Sequence, residues 1–332
     1  MRPLNEIRSS ATAAAVAALC LAVPCLAAPA ALPRGARDPA PQAAIPEILV
    51  TGERTGPGLW HVNRGAAQLW ILGTVNPLPK DLRWRSRQIE QILGGANAVV
   101  MAKPLDIGIV RVLWLLLTRR DLLMVPRGAE LRAVLPADLY ARFAAQRAKY
   151  TGNPHKWERY RPIIAVAFLQ EAALHSVGLS TRLDVGAEVR KLARRHDVRV
   201  EQIKLAGWRD ALDALKTLPP DVEDKCVAAV LATVERGLPR LVERAHAWAT
   251  GDIRRIQSLP YAPEVDACRT AVNGGTRAAD LIAQIRRTWL ASLDQHLRQK
   301  GVTLAVVNMD LLLEPGGLLD QLRSQGYAVQ PP

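Results

Sequence analysis

Apolar positions in this chain change their period twice. LWHVN, from Leu59, and AQLWILG, from Ala67, are short β-type runs separated by Arg64 and Gly65, the pattern of a hairpin. The second run stops at Asn76, between Val75 and Pro77, with Pro79 just beyond. From Leu82 to Leu93, Trp84, Ile89, Ile92 and Leu93 recur at helical spacing, and AVVMA, Ala98 to Ala102, is a continuous apolar run fit for a buried strand. Strand, helix, strand is the order of a parallel βαβ unit.

The period then becomes helical for about two hundred residues. Ile109 to Leu117 (IVRVLWLLL) is too short to span a bilayer and is expected to pack in a groove or the core. LPADLYARFAAQRAKY reads as a helix with Asp138 near its start. WERYRPIIAVAFLQEAALHSVGL reads as a helix ended by Gly178, with Pro162 bending it or restarting it. VGAEVRKLARRHDVRVEQI is a helix followed by a strand. Asp221 to Thr250 is helical with an interruption at Gly237-Leu238-Pro239, and Thr276 to Lys300 is a long helix closed by Gly301. Strand character returns in VTLAVVN. EPGGLLDQLRSQ reads as a helix opened by Glu314 and Pro315, Gly326 ends it, and YAVQ is a final edge strand. Strands therefore sit at both ends of the chain and helices fill the middle, an α/β class.

The composition is that of an ordinary globular chain, 49% hydrophobic and 23% charged over 332 residues. The N-terminus differs. Arg2 and Arg8 precede a small-apolar run from Ala11 to Leu26, and Ala28-Pro29-Ala30 supplies a cleavage pattern, the layout of a secretory leader over residues 1–30. Pro24 interrupts the run, which favours cleavage over an anchor, so no membrane span is expected afterwards. Residues 31–57 are rich in Pro, Ala, Gly and Arg and read as a linker, leaving 58–330 as one folded domain. An exported chain is expected in the periplasm or outside the cell.

Export changes the cysteine count. Cys20 and Cys25 leave with the leader, and Cys226 and Cys268 remain in helical sequence. In an oxidising compartment they suggest one disulfide; two separate buried thiols are the alternative. The net charge is +13, carried mostly by arginine interleaved with acids. No basic run or aromatic-plus-basic stripe marks a nucleic-acid binder, and export argues against that partner. A solvated basic surface or attraction to an anionic envelope surface remains. No G-x-S-x-G, P-loop, G-x-G-x-x-G, H-E-x-x-H or C-x-x-C is present, and the six histidines show no metal-pair spacing. Asp106 and Asp310 could serve as an acid and base only if the fold joined them.

Several stretches together resemble the TraB/GumN family, which is related to the TIKI peptidases. They are LWILGTVNPLPKDLRWRSRQIEQIL, VLPADLYARF, ERYRPIIAVAFLQEAAL, AHAWATGDI and VTLAVVNMDLLLEPGGLLDQLRSQGYAV. The resemblance implies a mixed sheet built from the two chain ends and flanked by a helical middle. It also implies a metal site in catalytic members, made by two G-x-x-H motifs and a Glu at strand ends. Carried over, the first motif falls on Gly73 to Asn76, the Glu on Ala102, and the second histidine on Asp310. Asn76 offers a weak neutral oxygen and Ala102 none, so no cofactor is expected and a divalent metal is disfavoured. Asn76 is then expected to act as a turn residue, capping the backbone before Pro77. Gly73, Asn76, Ala102 and Asp310 remain the candidate pocket, with no catalytic residue assigned. The expected role is non-catalytic, a pseudoenzyme binding a peptide, a polysaccharide or an envelope protein. A hydrolase of metallopeptidase type with altered ligands, or a basic envelope-surface module, are the alternatives.

Overall fold

The computed structural model describes residues 56–80, 86–104, 114, 115, 117–181, 183–205, 207–259 and 262–332. The expected leader, the expected linker as far as residue 55, Trp84, Asp106 and residues 109–113 lie outside these.

Six strands form one sheet. β1 (Leu59–Arg64) and β2 (Ala67–Thr74) make the expected hairpin, with Gly65 at φ +59° in the turn. β3 (Leu78–Pro79) leaves the sheet. After α1 (Arg87–Leu93) comes β4 (Ala96–Ala102). The helical middle then runs through α2 (Ala137–Thr151), α3 (Pro162–Ser176), β5 (Leu179–Ser180), α4 (Val185–Arg195), β6 (Arg199–Ile203), α5 (Trp208–Lys216), α6 (Pro220–Ala232), α7 (Leu238–Ala249), α8 (Ile253–Ser258), α9 (Pro263–Asn273) and α10 (Arg277–Leu297). The chain closes with β7 (Gly301–Asn308), α11 (Met309–Leu313), α12 (Leu318–Ser324) and β8 (Ala328–Gln330).

The sheet order is β6-β4-β7-β2-β1-β8, so the sheet is mixed and drawn from both chain ends, with β6 joining it from the helical middle. β6, β4, β7 and β2 are mutually parallel, whereas β1 runs against both β2 and β8. β2 and β4 are parallel as the strand-helix-strand order suggests, but they do not touch: β7, arriving from two hundred residues later, lies between them. The central strands are apolar on both faces, as parallel strands covered by helices must be; Val99, Val100, Leu304 and Ala305 are fully buried.

Of the two readings open at Pro162, the restart holds: α3 begins at it, and Trp157 before it has φ +68°. Other local expectations are corrected. The break expected at Gly237-Leu238-Pro239 is a π turn at Thr233–Gly237 that carries α6 into α7. The ring of Pro239 is accommodated because it stands in the first turn of α7, where no intrahelical N–H is needed. Glu314 and Pro315 do not open the last helix. Glu314 follows α11, buries its side chain and pairs with Arg286, and α12 starts after Gly317. A Cβ at Gly317 would lie 2.7 Å from the Glu314 carbonyl oxygen, so this turn needs glycine. The run ending at Leu117 is not wholly packed away. Leu115 is buried, but Trp114 and Leu117 face water.

Cys226 on α6 and Cys268 on α9 form a disulfide, with their Cα atoms 4.6 Å apart. Beside it, Arg161 grips Glu223 of α6 through Nε and Nη2, at 2.9 and 2.7 Å, and its Nη1 donates to the Leu215 carbonyl. The helical middle is thereby fastened at the point where α3, α5, α6 and α9 meet. His296, on the inner face of α10, is buried against Thr303 and Glu201 rather than solvated.

Candidate functional site

Parallel strands all end at one edge of their sheet, so the turns after them gather there. The register pairs Thr74 of β2 with Asn308 of β7, and Met101 of β4 with Val306 of β7. Asn76, Ala102 and Asp310 therefore all follow or end adjacent strands on the same edge. The chain leaves β4 toward β6 and leaves β7 toward β8, in opposite directions across the sheet. The gap between β4 and β7 is thus a topological switch point, the place where open α/β sheets bind ligands.

Gly73 lies beneath this edge rather than on it. It is buried, and a Cβ there would come within 2.8 Å of the Met309 side chain and 2.9 Å of Trp60. Its carbonyl accepts a 2.6 Å hydrogen bond from the buried indole N–H of Trp248. Glycine is required so that Met309 of α11 and Trp60 of β1 can both close on the end of β2.

Asn76 is exposed, and its peptide bond to Pro77 is cis. Among the described residues its side chain caps no neighbouring backbone group. Nδ2 donates to the carbonyl oxygen of Thr181 at 3.2 Å, 105 residues away. Thr181 follows β5, which pairs with β3 in a two-stranded ribbon, and its hydroxyl donates to Glu171 at 2.7 Å. Asn76 thus ties the end of β2 to the turn after α3.

Asp310 stands in the first turn of α11, with its backbone N–H held by the Asn308 side chain at 2.8 Å. An acid is favoured there, where the helix leaves N–H groups unpaired. Its carboxylate is ion-paired with the guanidinium of Arg244 on α7; the two side chains are 26% and 13% exposed. Arg244 and Trp248 are four residues apart, one turn of α7, and so share a face. That face docks on β2 through Trp248 and on the segment after β7 through Arg244. No sequence motif singles out Arg244. Its spacing from Trp248, just before and within AHAWATGDI, is the one signal that points to it.

Ala102 is half-buried and contributes only a methyl group. The preceding Met101 touches Arg190 of α4, which bonds Asp184 at 2.7 Å. A zinc- or manganese-type ion needs several imidazole, carboxylate or thiolate donors. Here one position holds an amide whose nitrogen is bonded to a carbonyl, one has no donor, and the third is a carboxylate already matched to a guanidinium. These residues do not fit such an ion. Among the described residues no group of three or more His, Cys, Asp or Glu is arranged to hold a metal. A cavity of about 710 Å³ adjoins α11, walled by Trp60, Asp252, Ile253, Leu312, Leu313 and Arg323.

The model of one protein family, described as the TraB/PrgY/gumN family, matches residues 58–331. Comparison with curated proteins and with solved structures finds no match.

Proposed function

Because this chain belongs to the TraB/PrgY/gumN family, we propose that it is an exported, non-catalytic member that binds a ligand at the C-terminal edge of its parallel strands. The ligand class is a peptide, a polysaccharide or another protein of the cell envelope. Support for export comes from the sequence alone: the charged start, the apolar run to Leu26 and the Ala28-Pro29-Ala30 pattern. Residues 58–330 would act as a single unit behind that leader and its linker.

One observation carries the non-catalytic reading. Asp310 is the sole strong metal-ligand type among the three family positions, and it is ion-paired with Arg244. The Arg244 guanidinium neutralises the negative charge that would otherwise draw a cation to that carboxylate. The edge keeps groups suited to recognition: the exposed side chains of Asn76 and Asn308 and a partly exposed Arg–Asp pair. Such groups can hydrogen-bond peptide amides or sugar hydroxyls without reacting with them.

Metal analysis tests this. The purified chain, dialysed against manganese, zinc or cobalt and then buffer, should retain far less than one ion per chain. Stoichiometric metal that disappears in Asp310→Ala would overturn the reading and restore the hydrolase. The converse variant restores Asn76→His, Ala102→Glu and Asp310→His together and adds Arg244→Ala to remove the competing cation. It is expected to gain tight metal binding that the triple variant without Arg244→Ala shows only weakly.

A further inference from the structure

We propose that the uncovered face of β8, β1 and β2 binds a neutral polysaccharide, with a sugar ring packed against the indole of Trp70. Cross-strand partners share a face of a sheet. The register pairs His61 with both Trp70 and Gln330, and Asn63 with both Gln68 and Ala328. These six side chains therefore stand together. The opposite face of the same strands is core: Trp60, Val62, Leu69 and Ile71 are buried. Here Asn63, Gln68, Ala328 and Gln330 are exposed, and His61 and Trp70 are half-buried, so this end of the face is open to water. The opening is local. Toward the C-terminal end of β2, Leu59 and Leu72 on the same face are buried, as is Leu304 of β7 across from Trp70.

The chemistry of the six selects the ligand. The rings of His61 and Trp70 stack with centroids 4.2 Å apart and planes 22° from parallel, and His61 Nδ1 donates to Oε1 of Gln330 at 3.2 Å. The imidazole is thus braced between β2 and β8. Among the described residues, the side-chain amides of Asn63 and Gln68 and the amide nitrogen of Gln330 make no hydrogen bond. None of the six carries a fixed charge, in a chain that is 23% charged, so the face offers nothing to an anionic lipid or an acidic polymer. Its sole aliphatic side chain is that of Ala328, which suits neither an acyl chain nor an apolar partner. The patch spans about 10 Å across the strands and about 7 Å along them. That is far short of the roughly 800 Å² per partner that a stable protein interface buries. An extended peptide would instead pair with the open backbone edge of β8. A sugar fits what is left. The negative face of an indole attracts its C–H groups, and primary amides both donate to and accept from its neighbouring hydroxyls. Trp70 lies four residues before Thr74, about 13 Å from the strand edge that carries Asn76 and Asp310. The platform is therefore a separate site, and binding there does not depend on what the edge holds.

Calorimetric titration of the full chain with hydroxyethylcellulose, dextran and galactomannan tests it, with alginate as the anionic control. At least one of the neutral polymers should bind, with an affinity that does not change as salt is raised, since no ion pair is involved. Trp70→Ala should weaken that binding about tenfold, the worth of a good aromatic contact, and Trp70→Phe should recover part of the loss. Gln68→Ala and Asn63→Ala each remove an exposed amide and should weaken it about fivefold. Because Gln68 is exposed, its variant should melt with wild type in a thermal scan, and it carries the test if Trp70→Ala does not fold. No binding to any neutral polymer, or Gln68→Ala and folded Trp70→Ala that bind as wild type does, would overturn the proposal. Binding confined to alginate and abolished by salt would do so in favour of the basic surface. A dimer in sedimentation velocity that Gln68→Lys dissolves would do so in favour of a second copy.

Discussion

Two of the arginine–carboxylate pairs in this molecule, Arg161–Glu223 and Arg244–Asp310, are built for different ends. Arg161 and Glu223 sit where the helices meet, with side chains 16% and 9% exposed. Glu223 also accepts the backbone N–H of Ile163, so the pair is closed by further hydrogen bonds. Arg244 and Asp310 join a helix to the sheet edge, and the Asp310 side chain is 26% exposed. The first pair is a fastening that water hardly reaches. The second stands at the sheet edge, at the position where the family resemblance puts a metal ligand. The same chemistry serves stability in one place and leaves a recognisable surface in the other, and solvent exposure makes the difference.

The comparison is broken most sharply from the closed side. Cys226 lies three residues after Glu223 on α6, and its disulfide closes a separation of 42 residues. Replacing both cysteines by serine should cost about 4 kcal/mol by loop entropy, read by denaturant unfolding. A non-reducing peptide map should find the two cysteine peptides joined. Glu223→Ala should cost about 3 kcal/mol, because it strands Arg161 in a poorly solvated site. Its counterpart Asp310→Ala should cost about 1 kcal/mol, since the carboxylate removed is the more exposed one, 26% against 9%, and its loss opens Arg244 to water. Equal losses in the two variants would erase the distinction between fastening and surface.

The smallest effect concerns a third group, on the edge-strand side. The Tyr327 hydroxyl donates to Asp294, which also bonds Arg298 at 2.9 Å. The Tyr327 hydrogen bond is the main cause that holds the Asp294 carboxyl below the usual carboxylate range, against a partial burial that raises it, with Arg298 lowering it further. A depressed acid contributes stability above its unfolded value and loses it as pH falls through the folded one. Tyr327→Phe should therefore move the Asp294 titration upward toward that of a free aspartate, followed by carbon-detected NMR. An unmoved titration would leave Arg298 and the net field as the cause.

Much of the frame is legible because periodicity reports burial. AVVMA and VTLAVVN are apolar at every position or nearly so, as strands covered on both faces must be, and both are strands. The hairpin is legible from Arg64-Gly65, and the final strand from YAVQ following the helix end at Gly326. Glu314-Pro315 misleads because acid and proline favour any helix start, and a buried ion pair to Arg286 overrides that preference. Asn76 resembles a local cap because Asn-Pro marks turns, yet its partner is a carbonyl on another element. Arg244 is hard to see as a site residue because, among many arginines, only its one-turn spacing from Trp248 marks it. Trp114 and Leu117 belong inside by hydrophobicity, but hydrophobicity states what a side chain prefers, not whether a surface is available to cover it.

By itself the sequence determined the element types, the identity of the two chain ends as the sheet, and the occupants of the three family positions. These depend on local backbone preference and on the period of burial, both written along the chain. Tertiary structure alone decided that β7 enters between β2 and β4, that Asp310 meets Arg244, and that Asn76 reaches Thr181. Each of these is a pairing between residues far apart in sequence. Such contacts are selected by packing and charge complementarity across the whole fold, and no local pattern encodes them.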